Sequence, residues 1–244
     1  MKTVKYFALI VASVLSFTNC TIELDKWEEI DLSTIPEVLK FSGIGKCYTD
    51  YRLPNCTIPN IEYKTNQNWC SVSSCDFVYV EMNNTGNPRT ATISFTFNGK
   101  TVRTITVEQA ALEYVIIGDL CIQKTDISPN VLTHSTAESF ANSSRVEGFT
   151  DWRLPTIDEL WMMYERREDI GGFKTTKQND YNTYYWSSEA DYDYHDDYNH
   201  WCWWYMVKGF SNGTEGWLCD ADVGQDNFHV YARAVRTVKS DDAY

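Results

Sequence analysis

One stretch of the chain, residues 178–205, concentrates side chains that could recognise a ligand. It contains seven tyrosines, four tryptophans, five aspartates and two histidines. Aromatic rings give contact area at a low cost in conformational entropy, and short polar side chains give adaptable hydrogen bonds. Such a mixture cannot be wholly internal, because ionised aspartates stay hydrated. The stretch therefore predicts a binding surface.

The rings of this stretch divide into two groups. Tyr185, Trp186 and the rings of residues 203–205 are interpreted as sheet residues, about half of which pack into the core. The residues between them are interpreted as a loop, which makes them the better candidates for ligand contacts. These candidates are Tyr192, Asp193, Tyr194, Asp196, Tyr198, His200 and Trp201.

Catalytic and metal-binding chemistry find less support in the sequence. None of the four histidines lies in an HExxH motif, and neither a GxSxG nor a P-loop sequence occurs. Asp220, Asp222 and Asp226 resemble part of a calcium loop, but the Gly and Glu that an EF-hand places at positions six and twelve are missing. We therefore expect a hydrated acidic loop there, and no catalytic residues, metal or cofactor.

The length limits the number of domains, and the charge limits the possible partners. The chain has 244 residues, enough for two domains after a leader, and a net charge of −13. A negative field repels phosphate, so nucleic acid is excluded as a partner.

The first twenty residues have the pattern of an export signal. Lys2 and Lys5 precede an apolar run, residues 6–17, which is too short to span a bilayer comfortably. Cys20 follows, at the usual position of bacterial lipid attachment, although a plain signal peptide with an incidental cysteine is an alternative. Glu23 and Asp25 resemble the surface-export signal of Bacteroidetes lipoproteins. We predict a signal peptide over residues 1–20, lipidation of Cys20, and an exported outer-membrane lipoprotein at the cell surface. A lipid anchor would be its only contact with the membrane.

The segment after the leader has the alternation of a small β-sandwich. Residues 77–81 and 91–97 alternate between apolar and polar side chains, and Asn98-Gly99 is a strong hairpin signal. The segment resembles the BACON domain, an Ig-like module of Bacteroidetes surface proteins, most clearly in its second half. The resemblance rests on Trp69, Val72, Asn83, Asn84, Arg89, Ala91, Ile93, Val107 and Gln109. It implies an Ig-like sandwich over residues 23–110 and a family expectation of mucin or carbohydrate binding, although we interpret this domain as a spacer.

Beyond residue 112 the pattern changes to α+β. A short apolar strand, residues 114–117, precedes two helices, which are predicted to start at capping boxes of Ser135 with Glu138 and Thr156 with Glu159. Gly171-Gly172 is expected to end the second helix. Its apolar stripe of Ile157, Leu160, Trp161 and Tyr164 is interpreted as core.

This second part resembles the C-terminal domain of the Legionella collagen-like adhesin, the Lcl C-terminal family, which is related in pattern to C-type-lectin-like folds. The resemblance rests on residues 151–160, 185–188, 209–213 and 232–236. It implies a C-type-lectin-like α+β domain over residues 112–240. The predicted fold class is thus mainly β with α+β.

Three functions remain open from the sequence. The first is adhesion, in which the aromatic loop binds a glycan, a mucin or a surface protein. The second is a fimbrial or surface-assembly subunit that uses the same face as a protein interface. The third, weakest hypothesis is an enzyme of the formylglycine-generating type, which needs a cysteine pair in a sequence context that Cys202 and Cys219 lack.

Overall fold

The computed structural model describes residues 35–45, 53, 61–73, 77–176, 181–195, 200–220, 228–240 and 242, and at residues 192–195, 200–202 and 220 it describes the backbone only. The leader with Cys20, and the residues Asp196, Tyr198, Asp222 and Asp226, lie outside the described residues. Within the described ranges the fold is mainly β, with twelve strands and three short α-helices.

The first six strands form two sheets around one core. The strands are β1 (Val38–Phe41), β2 (Ile61–Thr65), β3 (Cys70–Val72), β4 (Val78–Val80), β5 (Arg89–Phe97) and β6 (Lys100–Gln109). One sheet has the order β1-β6-β5-β2, with β1 parallel to β6, and the other pairs β3 with β4. Val78, Ile93 and Ile105 from the two sheets are buried in the same cluster, so the sheets pack as a sandwich. Each such side chain contributes about 1.5–3 kcal/mol to folding.

The hairpin between β5 and β6 forms where the sequence predicts it. Asn98 and Gly99 have φ angles of 49° and 75°. A two-residue turn of type I′ needs the left-handed conformation at both positions, and these two residue types adopt it at the lowest cost. The turn sets the register that brings Ile93 opposite Ile105.

The remaining strands and the helices form the C-terminal part of the fold, here called the head. They are β7 (Tyr114–Ile117), β8 (Leu120–Gln123), α1 (His134–Ser143), α2 (Ile157–Glu165), α3 (Arg167–Ile170), β9 (Tyr184–His195), β10 (His200–Gly209), β11 (Glu215–Asp220) and β12 (Val235–Thr237). One sheet has the order β12-β8-β7 and the other β11-β10-β9. Bridges between Tyr185 and Tyr231 and between Arg153 and Val235 connect the chain segments around them.

The two long helices begin at threonines. Thr156 caps α2, and the reciprocal bond from Glu159 completes the predicted capping box. The predicted box at Ser135 is wrong, since α1 begins two residues earlier and Thr133 accepts the bond from the Thr136 backbone. A cap must lie outside the helix in extended backbone, and Ser135 is already in the first helical turn. Gly171 ends the additional short helix α3, rather than α2 itself.

Three arginines of the head are structural. Arg233 is fully buried and donates to Asp126 and to the carbonyls of Gly171 and Gly172. Arg236, also buried, donates to Asp151 and Asp242, and Arg153 forms a bidentate pair with Glu159. These pairs hold loops of the head together and are not available for a ligand.

The end of the sandwich that faces the head contains a polar network, here called the junction latch and composed of Asn83, Arg89 and Gln109. The Asn83 amide donates to the carbonyls of Asn87 and Ala110, at 2.8 and 2.9 Å. The Gln109 amide donates to the carbonyls of Ser42, Gly43 and Glu81, while its oxygen accepts from Arg89 at 2.8 Å. The latch fixes the chain where it leaves the sandwich.

Apolar packing continues across this junction. Ile44 of the sandwich and Leu112 of the connecting segment belong to the same buried cluster as Tyr114 and Trp152 of the head. Gly43 is required here, because a Cβ atom would lie 2.4 Å from the Leu112 Cα. The connection between sandwich and head is therefore packed and is not a free linker.

Candidate functional site

The structure places the predicted ligand residues on a β-hairpin. Tyr192, Asp193 and Tyr194 lie in β9, and His200 and Trp201 lie in β10, where Trp201 stands opposite Tyr194. The predicted loop is therefore wrong for these five positions. The alternation of tyrosine and aspartate over residues 191–194 has the period of a strand, a signal that composition alone does not use.

A bulge in β9 connects this hairpin to both long helices. The register of β9 against β10 shifts between Tyr205 and Val207. The Ser187 carbonyl in the bulge lies 2.9 Å from His134 Nε2 at the start of α1. The Glu189 carboxylate accepts from the Ile157 N–H at the start of α2, at 3.1 Å. A bulge changes the direction of the strand that contains it, and here contacts with α1 and α2 fix the bulge.

One face of the sheet packs against α1. Trp186 and Val207 are buried there, and the His134 ring stacks on Tyr205 at a centroid distance of 3.4 Å. Further along β10 on the same face, Trp203 is 50% exposed. Register places positions 192, 194 and 201 on this face as well.

The opposite face packs against α2 around one buried lysine. The Lys208 side chain is fully buried, donates to the Gly213 carbonyl at 2.7 Å and lies 3.8 Å from Glu215. Its ammonium lies 2.6 Å from the centre of the Trp161 ring. Burial lowers the pKa of Lys208, while the nearby Glu215 raises it again in part. The interpretation of Trp161 as core is wrong, since this ring covers Lys208 and remains 40% exposed.

The same face continues outward as an apolar surface, here called the tryptophan face and composed of Trp161, Trp204, Met206 and Trp217. Met206 stands opposite Trp217, and Trp204 stands opposite Cys219. Trp217 is 44% exposed, and Trp204 and Met206 are half-buried. Sequence reasoning missed Trp217, although the short apolar run Gly-Trp-Leu-Cys around it is compatible with a strand.

Carboxylates border the tryptophan face. Glu215 stands opposite Lys208, and the exposed Asp191 stands opposite Trp204. Glu165, at the end of α2, is exposed and close enough to Lys208 to influence its pKa. The arrangement can stack on an apolar ligand surface and accept hydrogen bonds at its edge.

Within the described residues, no group of three or more histidine, cysteine, aspartate or glutamate side chains is arranged to hold a metal ion. In the same part of the chain, no helix is long and apolar enough to cross a membrane.

Comparison with known proteins identifies part of the sandwich. A family model described as "BACON: Putative binding domain, N-terminal" matches residues 60–110. The predicted BACON resemblance is thus confirmed for the second half of that domain, which contains the junction latch. No curated protein matches the chain.

Two solved structures are similar over part of their length. One is a Bacteroides ovatus GH5 xyloglucanase in complex with a XXXG heptasaccharide, which is 20% identical with a TM-score of 0.26. The matched region covers 44% of this chain and 24% of the xyloglucanase chain. The other is invasin, a bacterial integrin-binding protein, which is 8% identical, also with a TM-score of 0.26. The matched region covers 84% of this chain and 36% of the invasin chain. The chain thus spans about a quarter of the first protein and about a third of the second. At this TM-score neither likeness defines the fold.

Proposed function

We propose that this protein binds a glycan or another cell-surface ligand through the outer half of the sheet β11-β10-β9, and that it is not an enzyme. The observation that carries the proposal is the exposure of Trp203 and Trp217 on the two faces of one sheet. Large exposed aromatic side chains close together are typical of binding surfaces.

The hairpin supplies further contacts in this proposal. They come from Tyr192, Tyr194 and Trp201, whose strand positions share a face with Trp203, and from Asp193 and His200. Asp196 and Tyr198, which follow β9 in the sequence, extend the same set. An aromatic ring that stacks on a ligand is worth on the order of 2 kcal/mol of binding energy or more.

The sandwich acts as a rigid spacer in this proposal. Trp69 of the BACON match is covered by the Arg89 guanidinium at 4.2 Å, and Arg89 belongs to the junction latch. This favours a structural role for Trp69 over ligand binding. With a lipid anchor at Cys20, the spacer would hold a C-type-lectin-like head of the Lcl C-terminal type away from the outer membrane. Replacement of Cys20 by Ala should release the protein from the membrane fraction, and full retention would contradict the anchor.

The binding proposal is tested by a triple variant of the full chain, Tyr194→Ala, Tyr198→Ala and Trp201→Ala, on an array of glycans and mucins. We expect the variant to keep the melting temperature of the wild type and to lose the ligand. A variant that unfolds would show that these rings are core, and a variant that folds and binds normally would place the site elsewhere.

The same exposed rings also fit a subunit interface, as an assembly protein would need. Analytical ultracentrifugation of the wild-type chain separates the two functions. A monomer that binds a glycan supports adhesion, whereas concentration-dependent assembly without glycan binding supports the subunit role.

A further inference from the structure

We propose that the tryptophan face binds an uncharged glycan chain. This inference rests on the proposed binding function, to which it adds the face of the sheet and the class of ligand.

The geometry of the face fits an extended ligand. Trp217 stands opposite Met206, and Lys208, which underlies Trp161, is the next residue of β10 on the same face. Two residues along a strand span about 7 Å, so Trp161 and Trp217 can contact neighbouring units of one chain molecule. Both rings are exposed, and half-buried Met206 forms an apolar floor beside them.

One of the two rings, Trp161, is held in place before any ligand arrives. Trp161 packs on the Lys208 ammonium from one side and meets the Tyr164 ring edge-on, with centroids 6.2 Å apart. Lys208 is itself fixed by the Gly213 carbonyl. Binding to a surface that is already ordered avoids part of the entropy cost of association.

Charge decides against an anionic ligand. The edge of the face carries Asp191, Glu165 and Glu215, and the whole chain has a net charge of −13. Sulfated or sialylated glycans would be repelled by this field. Lys208, beneath the face, cannot attract these anions, because it is buried and already donates to the Gly213 carbonyl.

A cation stacked on Trp161 itself is also disfavoured, by the lysine beneath the ring. Lys208 already occupies the inner side of the ring, 2.6 Å from its centre. A second cation on the outer side would lie roughly 6 Å from the first and be repelled by it. An uncharged sugar avoids both penalties, because its C–H face stacks on indole and its hydroxyls donate to the carboxylates at the edge.

The test measures binding of the full chain to uncharged hexasaccharides of β-1,4-linked glucose, xylose, mannose and N-acetylglucosamine, with heparin and a sialylated mucin as anionic probes. We expect at least one uncharged probe to bind, with an affinity that is unchanged between about 0.05 and 0.5 M salt, since no ion pair is screened. Trp217→Ala should weaken that binding about thirty-fold. Trp161→Phe, which keeps Lys208 covered, should weaken it less.

Tyr79 provides the matched control. It is as exposed as Trp217, at 44%, but lies on β4 of the sandwich. Tyr79→Ala should therefore bind the probe as the wild type does, and all three variants should keep their melting temperature.

Four outcomes would overturn the inference. Binding of heparin or the sialylated mucin, or an affinity that falls with salt, contradicts an uncharged ligand. If Trp217→Ala binds normally while the triple hairpin variant does not, the proposed function stands and the ligand lies on the other face. If no uncharged probe binds but a mucin or surface protein does, the glycan class is wrong. If nothing binds, the proposed function falls as well.

Discussion

The junction latch and the outer half of the sheet β11-β10-β9 both depart from the usual distribution of polar and apolar side chains, but in opposite directions. In the latch, the polar side chains of Asn83 and Gln109 are buried. In the outer sheet, Trp203 and Trp217 are about half exposed. Buried polar groups and exposed large apolar groups are the two departures from the ordinary pattern that carry information.

The two departures indicate different roles. The amides of Asn83 and Gln109 donate to backbone carbonyls, and the Gln109 oxygen accepts from Arg89, which specifies how the chain leaves the sandwich. The two tryptophans leave about half of their surface exposed to solvent, where a ligand could cover it in the proposed function. We therefore assign the latch to stability and propose the outer sheet for binding.

The largest expected effect is a difference in stability between two tryptophan substitutions on one face of the sheet. Trp186 is buried and donates to the Leu132 carbonyl at 2.8 Å, whereas Trp203 is half exposed. We expect Trp186→Ala to lower the free energy of unfolding by about 3–5 kcal/mol, through the cavity and the lost bond. Trp203→Ala should lower it by less than about 1 kcal/mol. Urea unfolding measures both, and equal losses would show that Trp203 is core.

The latch gives a second matched pair, with a smaller effect. Asn83→Ala removes both donors to the Asn87 and Ala110 carbonyls and the acceptor for Thr85. We expect a loss of about 3 kcal/mol, because three hydrogen bonds of the buried Asn83 side chain are lost together. The neighbouring Asn84 is exposed, so Asn84→Ala should change stability by less than about 0.5 kcal/mol. If Asn83→Ala lowers the free energy of unfolding as little as Asn84→Ala does, the latch has no structural role.

The smallest expected effect concerns pH and Asp151. The hydrogen bond from Arg236 lowers the pKa of Asp151 from 3.8 to about 2. Since the folded value lies below the unfolded one, the interaction stabilises the fold above pH 4 and is lost as the pH falls towards 2. Asp151→Asn should therefore cost about 2 kcal/mol at pH 7. Urea unfolding at a series of pH values should show this difference shrinking below pH 4, and a constant difference would contradict the ionic contribution.

Local features of the fold follow from the sequence. The turn at Asn98-Gly99 and the capping box of Thr156 with Glu159 depend on residues close together in the chain, and both are present. The error at Ser135 is a shift of two residues within the correct helix. Such features are predictable because a turn or a cap is decided by the φ and ψ preferences of a few neighbouring residues.

The candidate site was predictable in composition and not in arrangement. The sequence alone determined that rings and carboxylates are concentrated in residues 178–205, and that the chain has a net charge of −13. Only the tertiary structure decided which rings are exposed. Trp161 fits a core stripe on its own helix, yet Lys208, 47 positions later in the chain, lies beneath it and turns the ring towards solvent. Trp217 joins the face only because β11 pairs with β10. Exposure depends on contacts between distant segments, and no local pattern contains them.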